Sequence, residues 1–120
     1  MRGIFCLCGL LLAGCSNSKH AVTQVVSIAA EAQLFLEFVQ QGHATATYAK
    51  THPHYLKRLA EAASKDVEAT RHEELKRQMQ RLNTALAKLA NASSDPTALA
   101  ALHDEFAEIA QLAGQIGESI

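Results

Sequence analysis

Apolar residues recur at helical spacing along four stretches of this chain, and nowhere do they alternate as a strand requires. From about Ala21 to Gln41, Val22, Val25, Ile28, Ala32, Phe35 and Val39 fall in steps of three and four, which places one stripe along a helix. Leu34, Leu36 and Phe38 widen that stripe, so the helix is expected to be buried on more than one side, with Gly42 ending it. The second stretch puts Tyr48, His52, Tyr55, Leu59 and Ala62 at helical spacing, with Leu56, Ala63 and Val67 beside them. Pro53 interrupts it: proline lacks the donor an interior turn needs, so a short helix, a bend and a longer helix from Pro53 to about Glu68 are expected, with Thr51 or His52 as the cap.

The remaining two helices are signalled at both pattern and cap. Thr70-Arg71-His72-Glu73 has the T-x-x-E form of a capping box and predicts a helix start at Thr70. Its stripe is Leu75, Met79, Leu82, Leu86 and Leu89, with Glu73 and Arg77 set for an i,i+4 ion pair. Asn91-Ala92-Ser93-Ser94 breaks the pattern. Asp95 as N-cap before Pro96 then opens a helix to about Gly117, with Leu99, Leu102, Phe106, Ile109, Ala113 and Ile116 inward. The fold class expected is all-α, an antiparallel up-down helical bundle of about four helices, because short connections leave each helix beside the last. The alternative is a pair of long hairpins that completes its core as a homodimer.

Ahead of the first stripe lie Met1-Arg2-Gly3, an apolar run from Ile4 to Leu12, and Leu12-Ala13-Gly14-Cys15. The run is too short to span a bilayer, which takes about 20 apolar residues, and has the layout of a secretory signal. Leu12-Ala13-Gly14-Cys15 resembles the lipobox of bacterial lipoproteins. In that family a thiol accepts the lipid, and small residues before it let the backbone enter a peptidase. The resemblance implies cleavage before Cys15, acylation (palmitate among the acyl groups) at Cys15, and permanent membrane attachment. Ser16, where Asp would favour inner-membrane retention, implies sorting to the outer membrane, facing the periplasm. The expected organisation is 1–14 signal peptide, 15–20 lipidated N-terminus and tether, with Ser16-Asn17-Ser18-Lys19 as the polar tether, and 21–120 helical bundle domain.

Charge and cysteine content narrow the function. Of three cysteines, Cys6 and Cys8 leave with the signal and Cys15 takes the lipid, so the mature fold holds itself by packing without disulfides. A formal net charge of −1 argues against a nucleic-acid partner. Residues 20–49 carry only Glu31 and Glu37, residues 50–88 are basic, and residues 92–120 carry acids alone, an arrangement that favours pairing between helices of one bundle. No G-x-S-x-G, phosphate loop, H-E-x-x-H or C-x-x-C-H occurs, so no enzyme activity and no cofactor are expected. The pattern points to a membrane-anchored envelope lipoprotein acting as a non-catalytic protein-binding or accessory module with an envelope protein partner. One alternative is an envelope inhibitor or immunity lipoprotein using the basic region of Arg71, Arg77 and Arg81. A second is a metal-binding lipoprotein with His52, His54 and His103 brought together beside Asp104 or Glu105; Glu108 with these acids also invites an acid/base reading. Tyr48 and Tyr55 read as residues of the core edge.

Overall fold

The computed structural model describes residues 18–91 and 95–120, and traces the backbone of its first helix from Arg2. Four helices follow one another: α1 (Arg2–Gln40), α2 (Ala46–Thr70), α3 (Glu73–Ala90) and α4 (Pro96–Ser119), with no strand among the described residues. Each packs on its neighbour in sequence, α4 returns against α1 in the most extensive contact, and α1 meets α3 across the diagonal. This is the expected up-down four-helix bundle. The expected lipobox side chains, Leu12 to Cys15, lie outside the described residues, as does the Ala92-Ser93-Ser94 part of the expected break.

The core is one cluster running from Ala21 to Ile116. In α3 and α4 the buried positions include every one the spacing predicts, Leu75, Met79, Leu82, Leu86 and Leu89, then Leu99, Leu102, Phe106, Ile109, Ala113 and Ile116. Phe106, Leu36, Leu56, Leu82 and Leu86 are wholly enclosed, and each such side chain stabilises the bundle by about 1.5–3 kcal/mol. α1 contributes Val22, Val25, Ile28, Ala32, Phe35 and Leu36. Leu34 and Phe38, expected to extend its buried face, are instead 66% and 46% exposed. The polar Gln78 is also enclosed, and is satisfied: its amide donates to Glu74 at 3.0 Å and accepts from Arg81 at 3.2 Å.

Several boundaries differ from the sequence expectation. α1 starts before Ala21, and the expected tether is already helical at Ser18 and Lys19, whose carbonyl accepts from Thr23 Oγ1 at 2.9 Å. Its other end is a Schellman turn: Gly42 sits at φ 74°, its N–H donates to Val39, and the N–H of His43 donates to Phe38. α2 is one helix through Pro53, neither bent into two nor capped at Thr51 or His52; its N-cap is Thr45, whose hydroxyl accepts from Tyr48 N–H at 3.1 Å. The interior proline costs about 3 kcal/mol. Burial of Pro53 with Leu56, Ala60, Ala63 and Val67 offsets it.

The capping box at Thr70 does not form. Thr70 is the last residue of α2, Arg71 takes the left-handed conformation at φ 59°, and His72 caps α3, its Nδ1 accepting from Leu75 N–H at 3.3 Å. The Thr70 hydroxyl donates to Val67 C=O at 2.6 Å and accepts from His72 N–H at 3.2 Å, which satisfies both backbone groups in the turn. The expected Glu73–Arg77 pair is replaced by two i,i+3 pairs, Arg77 with Glu74 at 2.8 Å and Lys76 with Glu73 at 3.6 Å.

Candidate functional site

The Leu34 and Phe38 side chains left outside the core stand beside a face of α2 that is also turned outward. The sequence expectation placed Tyr48, His52, Tyr55, Leu59 and Ala62 on the packed stripe of α2, but the residues enclosed are Pro53, Leu56, Ala60, Ala63 and Val67. Small alanines at 60 and 63 let the neighbouring helices approach, and the helix settles on that side. Tyr48 and Tyr55 are then 39% and 45% exposed, Ala62 is exposed, and Leu59 is partly buried against the core.

A ladder of rings joins α1 to α2 along this face. His52 is its centre, stacked on Tyr48 with ring centroids 4.7 Å apart and planes at 24°. Phe35 lies beneath at 5.2 Å from His52 and 5.6 Å from Tyr48. Tyr55 extends the ladder at 5.5 Å from His52, and Phe38 meets Tyr48 edge-on at 6.2 Å. His43, the residue after the Gly42 turn, covers the far side of Phe38 at 5.5 Å, the apolar contact that accompanies this kind of helix end. The chain has only six Phe and Tyr and no Trp. Four of the six are in this ladder, Phe35 on its core side and Phe38, Tyr48 and Tyr55 outward, so the exposed aromatic surface of the described residues is concentrated here.

The ladder carries charge at its edge. Glu31 Oε1 of α1 lies 3.4 Å from His52 Nε2, which is shut off from solvent and makes no hydrogen bond. On α4, His103 Nε2 faces Glu37 Oε2 at 3.5 Å, likewise without a hydrogen bond. The two histidines thus meet different carboxylates on α1. Six residues separate Glu31 from Glu37, about 9 Å along the axis and about a third of a turn around it, so His52 and His103 flank α1 on different sides. The metal cluster considered at His52, His54 and His103 is not assembled: among the described residues no three His, Cys, Asp or Glu side chains are grouped to hold an ion.

The other candidate residues are engaged elsewhere. Arg81 bridges α3 to α4 through Glu105 Oε1 at 2.7 Å and Glu108 Oε1 at 3.3 Å, with a second hydrogen bond from its Nε to Glu105 at 3.2 Å. The hydrogen bond to Glu105 raises the Arg81 pKa above its ordinary value. Glu105 and Glu108 are therefore partners of a guanidinium, and Asp104 beside them is exposed. Arg77 is paired with Glu74. Of the basic side chains considered as a contact surface, Arg71 alone lacks an ion pair among the described residues.

The charge segregation along the sequence places basic α3 against acidic α4. An open groove of about 590 Å³ lies between these two helices, lined by Thr84, Ala85 and Lys88 of α3 and by Ala98, Ala101, Leu102 and Glu105 of α4. Three alanines, Thr84 and Leu102 make up most of its walls, and of its two charged groups Glu105 is held by Arg81. The α1/α2 ladder is the surface that sequence reasoning missed. The signal was present as two parallel stripes in α2, of which the more aromatic one drew the assignment. No family model matches the chain, and neither a curated protein nor a solved structure is found to match it.

Proposed function

We propose that the chain is a bacterial envelope lipoprotein, held through lipid on Cys15 at the periplasmic face of the outer membrane, whose bundle is a non-catalytic protein-binding or accessory module. The observation that carries this reading is the Leu12-Ala13-Gly14-Cys15 stretch, placed ahead of a bundle whose core, among the described residues, runs from Ala21 to Ile116. The apolar stretch Ser18–Gln40 is long and apolar enough to cross a membrane by length and composition, and a signal sequence or anchor passes the same measure. Here that stretch supplies Val22, Val25, Ile28 and Leu36 to the core, so the reading assigns attachment to the lipid rather than to a spanning helix. The exposed ring ladder on α1 and α2 supports the binding role, since aromatic side chains are enriched where proteins dock.

Labelling with radioactive palmitate in growing bacteria tests the anchor. The wild-type chain is expected to take up label and partition with membranes, and Cys15→Ala to lose the label while keeping its helical circular dichroism. Equal labelling of the two proteins refutes it. In the alternative inhibitor reading Arg71 and Arg77 remain exposed as a contact surface, whereas Arg81 is engaged between α3 and α4.

A further inference from the structure

We infer that Glu31 with His52 and Glu37 with His103 are two proton-operated clamps, which tighten α1 against both of its flanking helices, α2 and α4, as the surroundings turn mildly acidic.

Between Ala21 and Gln41, Glu31 and Glu37 are the only ionisable side chains of α1. Each is set against a histidine of a different helix: Glu31 Oε1 lies 3.4 Å from His52 Nε2 on α2, and Glu37 Oε2 lies 3.5 Å from His103 Nε2 on α4. Both ring nitrogens are shut off from solvent and lack a hydrogen bond, whereas the carboxylates are 45% and 47% exposed and keep one side in water. The two seams of α3 are built differently, with Lys76 reaching Glu68 of α2 at 3.8 Å and Arg81 holding Glu105 of α4 at 2.7 Å. Lysine and arginine stay charged across the neutral range and histidine does not. A response to mild acid is thereby confined to the seams of α1.

The surroundings of the two rings leave the carboxylates of α1 as their charged partners. One turn to either side of His52 on α2 stand two phenols, Tyr48 and Tyr55, and two apolar side chains; the four positions one turn from His103 on α4 are all apolar, and neighbouring Asp104 is exposed. From α3, which packs on both α2 and α4, Lys76, Arg81 and Lys88 reach Glu68, Glu105 and the groove beside Ala101. Those three positions lie about 160° around their helices from the histidines.

A neutral imidazole has one N–H for two nitrogens, and a buried nitrogen without a partner is costly. Taking up a proton makes both nitrogens donors, and Nε2 then has a charged acceptor already in place. The unfolded chain holds no such acceptor beside the ring, so folding favours the charged form. The bundle is therefore expected to gain stability as pH falls through the ordinary histidine range, about 6.5, and to lose that gain as pH rises again. The gain ends in stronger acid, around pH ~4.3, where glutamate is neutralised. His72 works in the opposite direction, because its Nδ1 accepts from Leu75 N–H at 3.3 Å and a proton there removes the acceptor. His52 is also the centre of the ring ladder, so one of the two clamps fixes the rings of that face.

The test is urea unfolding of the full chain, followed by circular dichroism at about pH 7.5 and about pH 5.5, on either side of the histidine range. The wild type is compared with Glu31→Gln, Glu37→Gln and the two combined, changes that keep the shape of each side chain and remove its charge. Relative to the double variant, the folding constant of the wild type is expected to rise about tenfold between the two pH values, about threefold from each pair. His72 acts alike in all four proteins and cancels in the comparison. Equal pH dependence in the wild type and the double variant overturns the inference. Nitrogen-15 NMR of the histidine rings gives a second reading in the folded wild type. At the lower pH the Nε2 protons of His52 and His103 are expected to be held against exchange with water, and to be released in the variant lacking the facing carboxylate. Ring protons at these two positions that exchange as fast as those of exposed His54 overturn it as well.

Discussion

At the residue scale, the junction between α2 and α3 has a side chain in a conformation that suits glycine. Arg71 holds φ 59°, where a Cβ crowds the backbone, and the turn persists because the Thr70 hydroxyl satisfies the two backbone groups on either side of it. Arg71→Gly is expected to relieve the strain and stabilise the fold by about 0.5–1 kcal/mol, seen as a melting temperature a few degrees higher by circular dichroism. A lower one would mean that the arginine side chain holds the turn. Arg81 makes the opposite case. Arg81→Ala is expected to cost about 1 kcal/mol in dilute buffer and less in concentrated salt, because a partly exposed pair is screened. Its raised pKa means that this stabilisation is complete below the guanidinium's unfolded value and fades only as pH climbs through the folded one. A melting difference that narrows between neutral and moderately alkaline pH would contradict that. The Arg81 bridge was legible as charge segregation in the sequence. The cap was not: T-x-x-E also occurs where threonine ends one helix and glutamate begins the next, and only the path of the chain separates the two cases.

At the scale of elements, legibility depended on how many stripes a helix offers. α3 and α4 each present one apolar seam, and the assigned seam is the buried one in both. α2 offers two, Tyr48-His52-Tyr55-Leu59-Ala62 and Pro53-Leu56-Ala60-Ala63-Val67, about a quarter-turn apart at 100° per residue. Its charged side chains point about 120° from the first and about 140° from the second, too even a division to choose between them. Bulk favours the first stripe in a sequence reading, but close packing of helices favours the small side chains of the second. Close approach also separates two glycines of α4. A Cβ at Gly117 would lie 2.9 Å from Val22 Cγ1 on α1, whereas one at Gly114 meets nothing within 4 Å. Val22 is buried and branched at Cβ, so it cannot swing aside. Gly114→Ala is therefore expected to stabilise the bundle by about 0.5–1 kcal/mol through helix propensity alone, and Gly117→Ala to destabilise it by about 1 kcal/mol as overpacking exceeds that gain. Thermal unfolding of the two variants decides this, and equal shifts of one sign would show that α1 and α4 do not approach so closely there.

At the scale of the whole molecule, the same helix serves the bundle and the segment ahead of it. α1 continues unbroken from Arg2 to Gln40, but its first buried residue among those described is Ala21, and its contacts with α2, α3 and α4 close the core around it. Hydrophobic burial is roughly proportional to the apolar area removed from water, so stability should track residues from Ala21 onward. Deleting residues 1–17 is accordingly expected to leave helicity per residue and cooperative unfolding unchanged, with a melting temperature within a few degrees of the full chain. The change should be far smaller than that from Phe106→Ala, where emptying a fully enclosed ring site costs about 3–5 kcal/mol. If the shortened chain melts without cooperativity, the leading segment is part of the fold, and an α1 that must stay joined to it is incompatible with cleavage before Cys15. If it melts as expected, that segment is free of structural duty, and the ring ladder is presented by a bundle whose packing does not depend on how it is tethered.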